Sequence, residues 1–370
     1  MIGMAVAMGV GRFVYTPILP GMMEALQFTP AEAGWIASAN YLGYLLGAFA
    51  AAGAWAAGRE RGLMLAGLAS SALLATVMAL TDSVAAFLAI RFLAGLASAF
   101  VMVFLASIVF GRLNAAGRSD LQALHFAGVG IGIAISSLMM AALVIFDARW
   151  PAGWIWSAVI SAVGLLLVWR MIDASAVPKA ANHREPALPK SGVLLRLIVA
   201  YGLFGFGYVI TATFLIAIVR QEEGSRLFET AVWLVAGLAA APSVFVWAVL
   251  SRRIGPARTF IATCLVEAVG VAASVGLGGA AGPLLGAFLL GGTFVAATAF
   301  GLRAAALLAP ETPRRIFALM TASFGVGQII GPIVAGLLAH ATGSYFAASM
   351  AASVALIMAA GIAWPRRTAA

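Results

Sequence analysis

The chain has 370 residues, 63% of them apolar and only 9% charged, against about 25% charged in an ordinary soluble domain. With a mean hydropathy of +1.05 it carries too little charge to cover itself in water, and a soluble fold is excluded. Its net charge of +9 is spread through apolar sequence, which argues against nucleic acid as a partner, and its single cysteine, Cys264, excludes an internal disulfide and a cysteine-built metal site.

Crossing the hydrocarbon core takes about 20 apolar residues in a helix, and twelve stretches qualify. An outer-membrane barrel would show strands of about 10 alternating residues instead. Span 1, Ile2–Leu26, carries Arg12 in its middle, with Tyr15 and Thr16 one turn further along the same predicted face. No basic residue precedes it, so it does not read as a signal peptide. The chain begins almost inside this span, which leaves room for a start upstream of Met1. Span 2, Ala33–Ala57, bears Asn40 and Tyr44 one turn apart. Span 3 is Leu63–Leu80, and span 4, Val84–Phe110, contains Arg91. Span 5, Gln122–Phe146, opens near His125, and span 6 is Trp150–Met171. The longest polar segment follows, Asp173–Gly192, with Pro178, Pro186 and Pro189. Span 7, Leu194–Val219, has Tyr201, Tyr208 and Thr211 on helical spacing. Span 8 is Glu229–Leu250. Span 9, Ala257–Val275, holds Glu267 at membrane depth. Span 10, Gly282–Ala309, has Arg303 near one end. Span 11, Ile316–His340, contains Gln328, and span 12 is Gly343–Trp364.

Basic residues near span ends resist translocation and collect on the cytoplasmic side. With both termini cytoplasmic, sixteen of the 22 Lys and Arg fall on that side. Arg149, Arg220 and Arg226 fall on the other, and Arg12, Arg91 and Arg303 lie within spans. The basic surplus is a topology signal.

Weak internal similarity recurs at a nearly constant offset. Gly9-Val10-Gly11-Arg12 matches Gly205-Phe206-Gly207-Tyr208, 196 residues on. Ala33-Gly34-Trp35-Ile36 matches Ala231-Val232-Trp233-Leu234, and Gly128-Val129-Gly130 matches Gly325-Val326-Gly327. An offset of six spans predicts a parallel repeat about an axis along the membrane normal. The predicted division is an N-terminal bundle 1–171, a cytoplasmic linker 172–193 and a C-terminal bundle 194–370.

Arg91-Phe92-Leu93-Ala94-Gly95 in span 4 and Gly327-Gln328-Ile329-Ile330-Gly331-Pro332 in span 11 fit the R-x-x-x-G and G-x-x-x-G-P patterns of the major facilitator superfamily. Met8–Pro17, Asn40–Gly47 and Tyr201–Tyr208 further resemble its YbfB/YjiJ-type branch of bacterial inner-membrane transporters. The resemblance covers the whole chain. It implies an all-α membrane fold of 12 helices in two pseudo-symmetric six-helix bundles. The loop Gly53–Gly62 keeps Arg59 and Arg61 but lacks the aspartate of the superfamily's motif there, and span 5 lacks the proline of its antiporter motif.

A charge at the bilayer centre costs about 3 kcal/mol on insertion scales and therefore tends to face a cavity or a partner. Arg12, Tyr15, Thr16, Asn40, Tyr44, Arg91, Tyr201, Tyr208, Thr211 and Gln328 are accordingly the candidate substrate-binding residues, with packing as the competing reading for each. Glu267 is the coupling candidate; the competing reading is a protonated carboxyl bonded to a neighbour. No catalytic residue, metal site or cofactor is expected, since the three histidines show no ligand spacing and no nucleotide motif occurs. The expected function is secondary active transport of a small organic solute, anionic or amphipathic, by a monomer that uses a proton or other ion gradient. The alternatives are a membrane receptor or sensor, which would carry a signalling domain, and a lipid enzyme, which would cluster His, Asp or Ser at an interface.

Overall fold

The computed structural model describes residues 1–118, 121–173, 186–189, 191–222 and 224–365. Among these there is no strand, and all twelve predicted spans are helical. Span 1 runs Ile2–Leu26. The others, in order, are Pro30–Ala51, Glu60–Met78, Val84–Ala115, Gln122–Ile145, Trp150–Met171, Gly192–Gln221, Arg226–Ile254, Pro256–Gly276, Ala281–Leu308, Pro313–Thr342 and Phe346–Ala363. Most of the linker, residues 174–185 and 190, lies outside the described set, as does Asp120.

The ends depart from the apolar stretches for local reasons. Span 2 starts earlier than hydropathy predicts because Thr29 and Glu32 form a reciprocal capping box with Pro30 at the first helical position. Spans 4 and 8 run past their apolar stretches, with Arg112 in the last turn of one and Arg252 and Arg253 in that of the other. There the positive charges complement the helix dipole. Eleven spans are long and apolar enough to cross a bilayer. Span 2 falls short because Asn40, Tyr41 and Tyr44 replace aliphatic residues. Large apolar side chains such as Leu138, Leu166, Val246 and Val354 point outward, while glycines and small residues fill the contacts between helices, as packing in lipid requires.

The packing pattern of one half recurs in the other. Span 2 packs on 4, span 3 on 4 and 6, and span 1 on 5; correspondingly, 8 packs on 10, 9 on 10 and 12, and 7 on 11. Across the molecule, span 2 meets 11 and span 5 meets 8. Spans 1 and 7 also touch. Thr16 Oγ1 donates to the Ala212 carbonyl at 2.6 Å and Glu24 pairs with Arg220 at 3.0 Å. Both contacts join residues 196 apart, the offset of the sequence repeat. Residues related by a two-fold rotation touch each other only on its axis, so the pseudo-axis passes between spans 1 and 7.

The two ends of the molecule differ. Away from the chain termini the seam is shut. A Cβ on Gly34 would strike the Pro332 carbonyl, and Gly130 and Gly237 leave no room between spans 5 and 8. Ser38 and Ser137 also donate across the seam, to the Ile329 and Thr230 carbonyls. At the terminus-bearing end the halves part around a cleft of about 940 Å³, with Phe110 and Phe126 on one wall and Arg252, Phe300, Arg303 and Phe317 on the other.

Candidate functional site

The site begins with a fault in span 1. Residues Ala5–Val10 form a π-helix, and regular α-helix resumes only at Tyr15. Gly9 and Gly11 favour helix weakly, and Pro17 has no N–H for the Phe13 carbonyl, which Thr16 N takes instead. A change of pitch leaves carbonyls over. Arg91 takes two of them, donating from Nη1 to the Gly11 oxygen at 3.3 Å and from Nη2 to the Arg12 oxygen at 3.2 Å. Its guanidinium also lies over the Tyr15 and Trp154 rings, at 5.1 and 5.8 Å. Arg91 thus ties the broken helix to span 4.

Arg12 is different. It is 4% exposed, in mid-span, and no carboxylate among the described residues pairs with it. Its guanidinium carbon lies 4.5 Å from the Tyr41 ring centre and 4.3 Å from that of Tyr44. Such faces stabilise a desolvated cation by about 2 kcal/mol. Nε and Nη2 nevertheless have no hydrogen-bond partner. Buried donors are nearly always satisfied, so these two are ready for an acceptor.

Across the axis stands Tyr208, the repeat equivalent of Arg12 and within electrostatic reach of it. The two are bridged by Phe13 and Phe294, whose ring centres lie 5.7 Å apart, with Phe294 5.8 Å from Tyr208. Gln328 Nε2 donates to the Tyr208 hydroxyl, and Gln328 Oε1 is buried without a partner. Arg12, Tyr44, Tyr208 and Gln328 therefore converge where the two halves meet.

The remaining candidates spread outward. Tyr15 donates to the Ala33 carbonyl at 3.0 Å, Thr16 to span 7, Asn40 Nδ2 to the Arg91 carbonyl at 2.9 Å, and Tyr201 to the Thr298 carbonyl at 3.0 Å. Thr211 is buried with a free hydroxyl. The predicted shared face of Arg12, Tyr15 and Thr16 is not found. Arg12 lies in the turn before regular helix resumes; it reaches Tyr41 and Tyr44 of span 2, Tyr15 reaches Ala33 of the same span, and Thr16 reaches span 7. Glu267 lies inside the second half, where Thr293 Oγ1 donates to its Oε2 at 3.0 Å and Oε1 has no partner. Sequence reasoning missed Tyr41, Phe13, Phe294 and Phe324, the last stacked on Tyr208 at 5.6 Å. Tyr41 was signalled only by its place beside Asn40, and the phenylalanines by nothing that separates them from ordinary core.

The family described as uncharacterised MFS-type transporter YbfB matches residues 4–364. The chain belongs to that family. The YbfB-type chain also matches two crystal structures of the nucleoside transporter NupG. One, of a variant, has TM-score 0.69 and 14% identity and covers 98% of this chain and 96% of that one. The other has TM-score 0.67 and 15% identity and covers 98% of both. At such identity the likeness shows the major facilitator fold. No curated protein matches. In this YbfB-type chain the loop arginine retained from the superfamily motif works on backbone: Arg61 donates to the Ile172 and Trp169 carbonyls at 2.6 and 3.1 Å, at the end of span 6. Gly95 of the span 4 motif is needed because a Cβ would strike the Asn40 carbonyl.

Proposed function

We propose that this membrane transporter moves a small organic solute across the bacterial inner membrane by alternating access. Residues 1–171 and 194–370 rock against each other about the axis between spans 1 and 7, joined by the linker 172–193. The excess of Lys and Arg at the terminus-bearing end supports a cytoplasmic location for both termini. In that orientation the cleft beside Phe110 and Arg303 opens inward and the Glu24–Arg220 end is the sealed outer face. A gradient of an ion or of the solute drives the cycle, and the monomer is the working unit. Glu267 serves packing within the second half.

One observation carries the reading: Arg12, desolvated and without a carboxylate partner among the described residues, stands at the junction of the halves with two donors unmet. A charge so placed is costly, and a ligand acceptor that arrives and leaves accounts for it. The test is counterflow in proteoliposomes with a panel of labelled organic anions and neutral solutes. The natural protein exchanges at least one of them, Arg12→Lys retains part of the rate, and Arg12→Gln loses at least ten-fold, equivalent to about 1.4 kcal/mol. Unchanged kinetics in Arg12→Gln would overturn the reading, as would labelling that places residues 173–192 outside the cell.

A further inference from the structure

We infer that the solute of the central site is a planar aromatic carboxylate bearing a hydroxyl at the far side of its ring, an inference that rests on the transport reading above.

Arg12 and Tyr208 hold the same place in the two repeats, 196 residues apart in sequence. Their surroundings have diverged in opposite directions. The first half presents a cation with unfilled N–H donors. The second presents flat apolar faces and an amide acceptor. Tyr208 lies parallel between Phe294 and Phe324, with interplanar angles of 6° and 4° and centre distances of 5.8 and 5.6 Å. Gln328, fully buried, holds the Tyr208 hydroxyl with one amide atom and leaves Oε1 open.

The two unmet needs have opposite hydrogen-bond sense. Arg12 lacks an acceptor and Gln328 lacks a donor. Each buried unsatisfied group carries a desolvation penalty, and here an unmet cation and an unmet acceptor stand together where the halves meet. A carboxylate answers the first, and a guanidinium is suited to hold one through two parallel bonds. A hydroxyl answers the second. The stacked rings around Tyr208 favour a flat body, because parallel faces that part to admit another ring regain offset stacking on it. An aliphatic acid satisfies the charge but not the stack; a nucleoside satisfies the stack but not the charge. The cytoplasmic-side cleft adds Arg252 and Arg303 and no acidic lining residue, which favours an anion on the approach.

The probe is 4-hydroxybenzoate, tested by thermal unfolding of the purified full chain in detergent. A ligand of the folded state raises the midpoint by mass action. The expected result is a saturating rise with 4-hydroxybenzoate. Benzoate, 4-hydroxybenzamide, 4-hydroxycyclohexanecarboxylate and uridine, which lack the hydroxyl, the charge, the flat ring and the charge respectively, should need at least ten-fold higher concentration. Arg12→Gln should lose the response to 4-hydroxybenzoate without weakening that to 4-hydroxybenzamide. Gln328→Met should bring 4-hydroxybenzoate and benzoate together. No response to 4-hydroxybenzoate overturns the inference, as does an equal response to the neutral amide or the saturated ring. Should Arg12→Gln fail to fold, the ranking of ligands on the natural protein decides. Counterflow of a solute lacking ring or charge would sink this inference and leave transport standing; counterflow of no solute in the panel would sink the transport reading itself.

Discussion

Two arginines buried in neighbouring spans have opposite employment. Arg91 fills two carbonyls freed by the fault in span 1 and leaves Nε unmet, whereas Arg12 leaves both Nε and Nη2 unmet. Both were visible in the sequence as charges at membrane depth, but their partners were not, because a backbone carbonyl released by a pitch change has no residue signature. Hydrogen bonds from a charged donor contribute about 1.5–3 kcal/mol each. Arg91→Leu should therefore cost about 3 kcal/mol or more in an SDS-titration unfolding experiment; an unchanged unfolding free energy would mean that the two carbonyls find other donors. Glu267 supports a different expectation. Glu267→Gln keeps an oxygen to accept from Thr293, so stability should change by less than about 1 kcal/mol. Transport driven by a pH gradient should also survive, because the side chain sits inside one half rather than at the seam. A response that disappears would make Glu267 the proton carrier.

The elements themselves were mostly legible. Length and hydropathy placed twelve spans, and the deviations came from chemistry that hydropathy ignores, such as the capping box at Thr29 and Glu32. The fault in span 1 was not legible. Pro17 marks a lost backbone bond, but Gly9 and Gly11 read equally well as helix-packing residues, and nothing in the sequence announces the π-helix of Ala5–Val10 ahead of Arg12. Glycine spacing announced close packing without saying which pairs are seams between the halves. Gly130 is such a position, set against Gly237 and Ala241. Gly130→Val should wedge spans 5 and 8 apart where they are sealed. The reactivity of a cysteine introduced at Met140, on the vestibule at that end, toward a membrane-impermeant maleimide should rise several-fold; an unchanged rate would show that the seam accommodates the side chain elsewhere.

At the scale of the whole molecule, the repeat offset found in the sequence acquires meaning from two contacts. Thr16 with Ala212 and Glu24 with Arg220 lie on the pseudo-two-fold axis that relates the two halves. Arg149, Arg220 and Arg226, the three cations assigned to the outer side, line one vestibule there together with Glu24. Arg220 is held by both carboxylate oxygens of Glu229, each at 2.6 Å, on its own half, so Glu24 supplies the bond between halves, with Arg226 a further 3.5 Å partner. Glu24 is 59% exposed, and such a pair stabilises by at most about 1 kcal/mol. That is too little to hold a fold and enough to change a two-state ratio about five-fold.

If the halves move as rigid bodies, one turn opens one end as it shuts the other. Spin labels at Asp147 and Glu222 report the distance across the outer end, and labels at Ala116 and Glu311 report the inner end; all four positions are exposed. Pulsed electron–electron distance measurements on the natural background and on Glu24→Gln test the claim directly. Glu24→Gln should enlarge a population with a longer outer distance and a shorter inner one, in equal proportion. Distances that shift in the same direction at both ends, or an outer distance that changes while the inner one stays fixed, would contradict it.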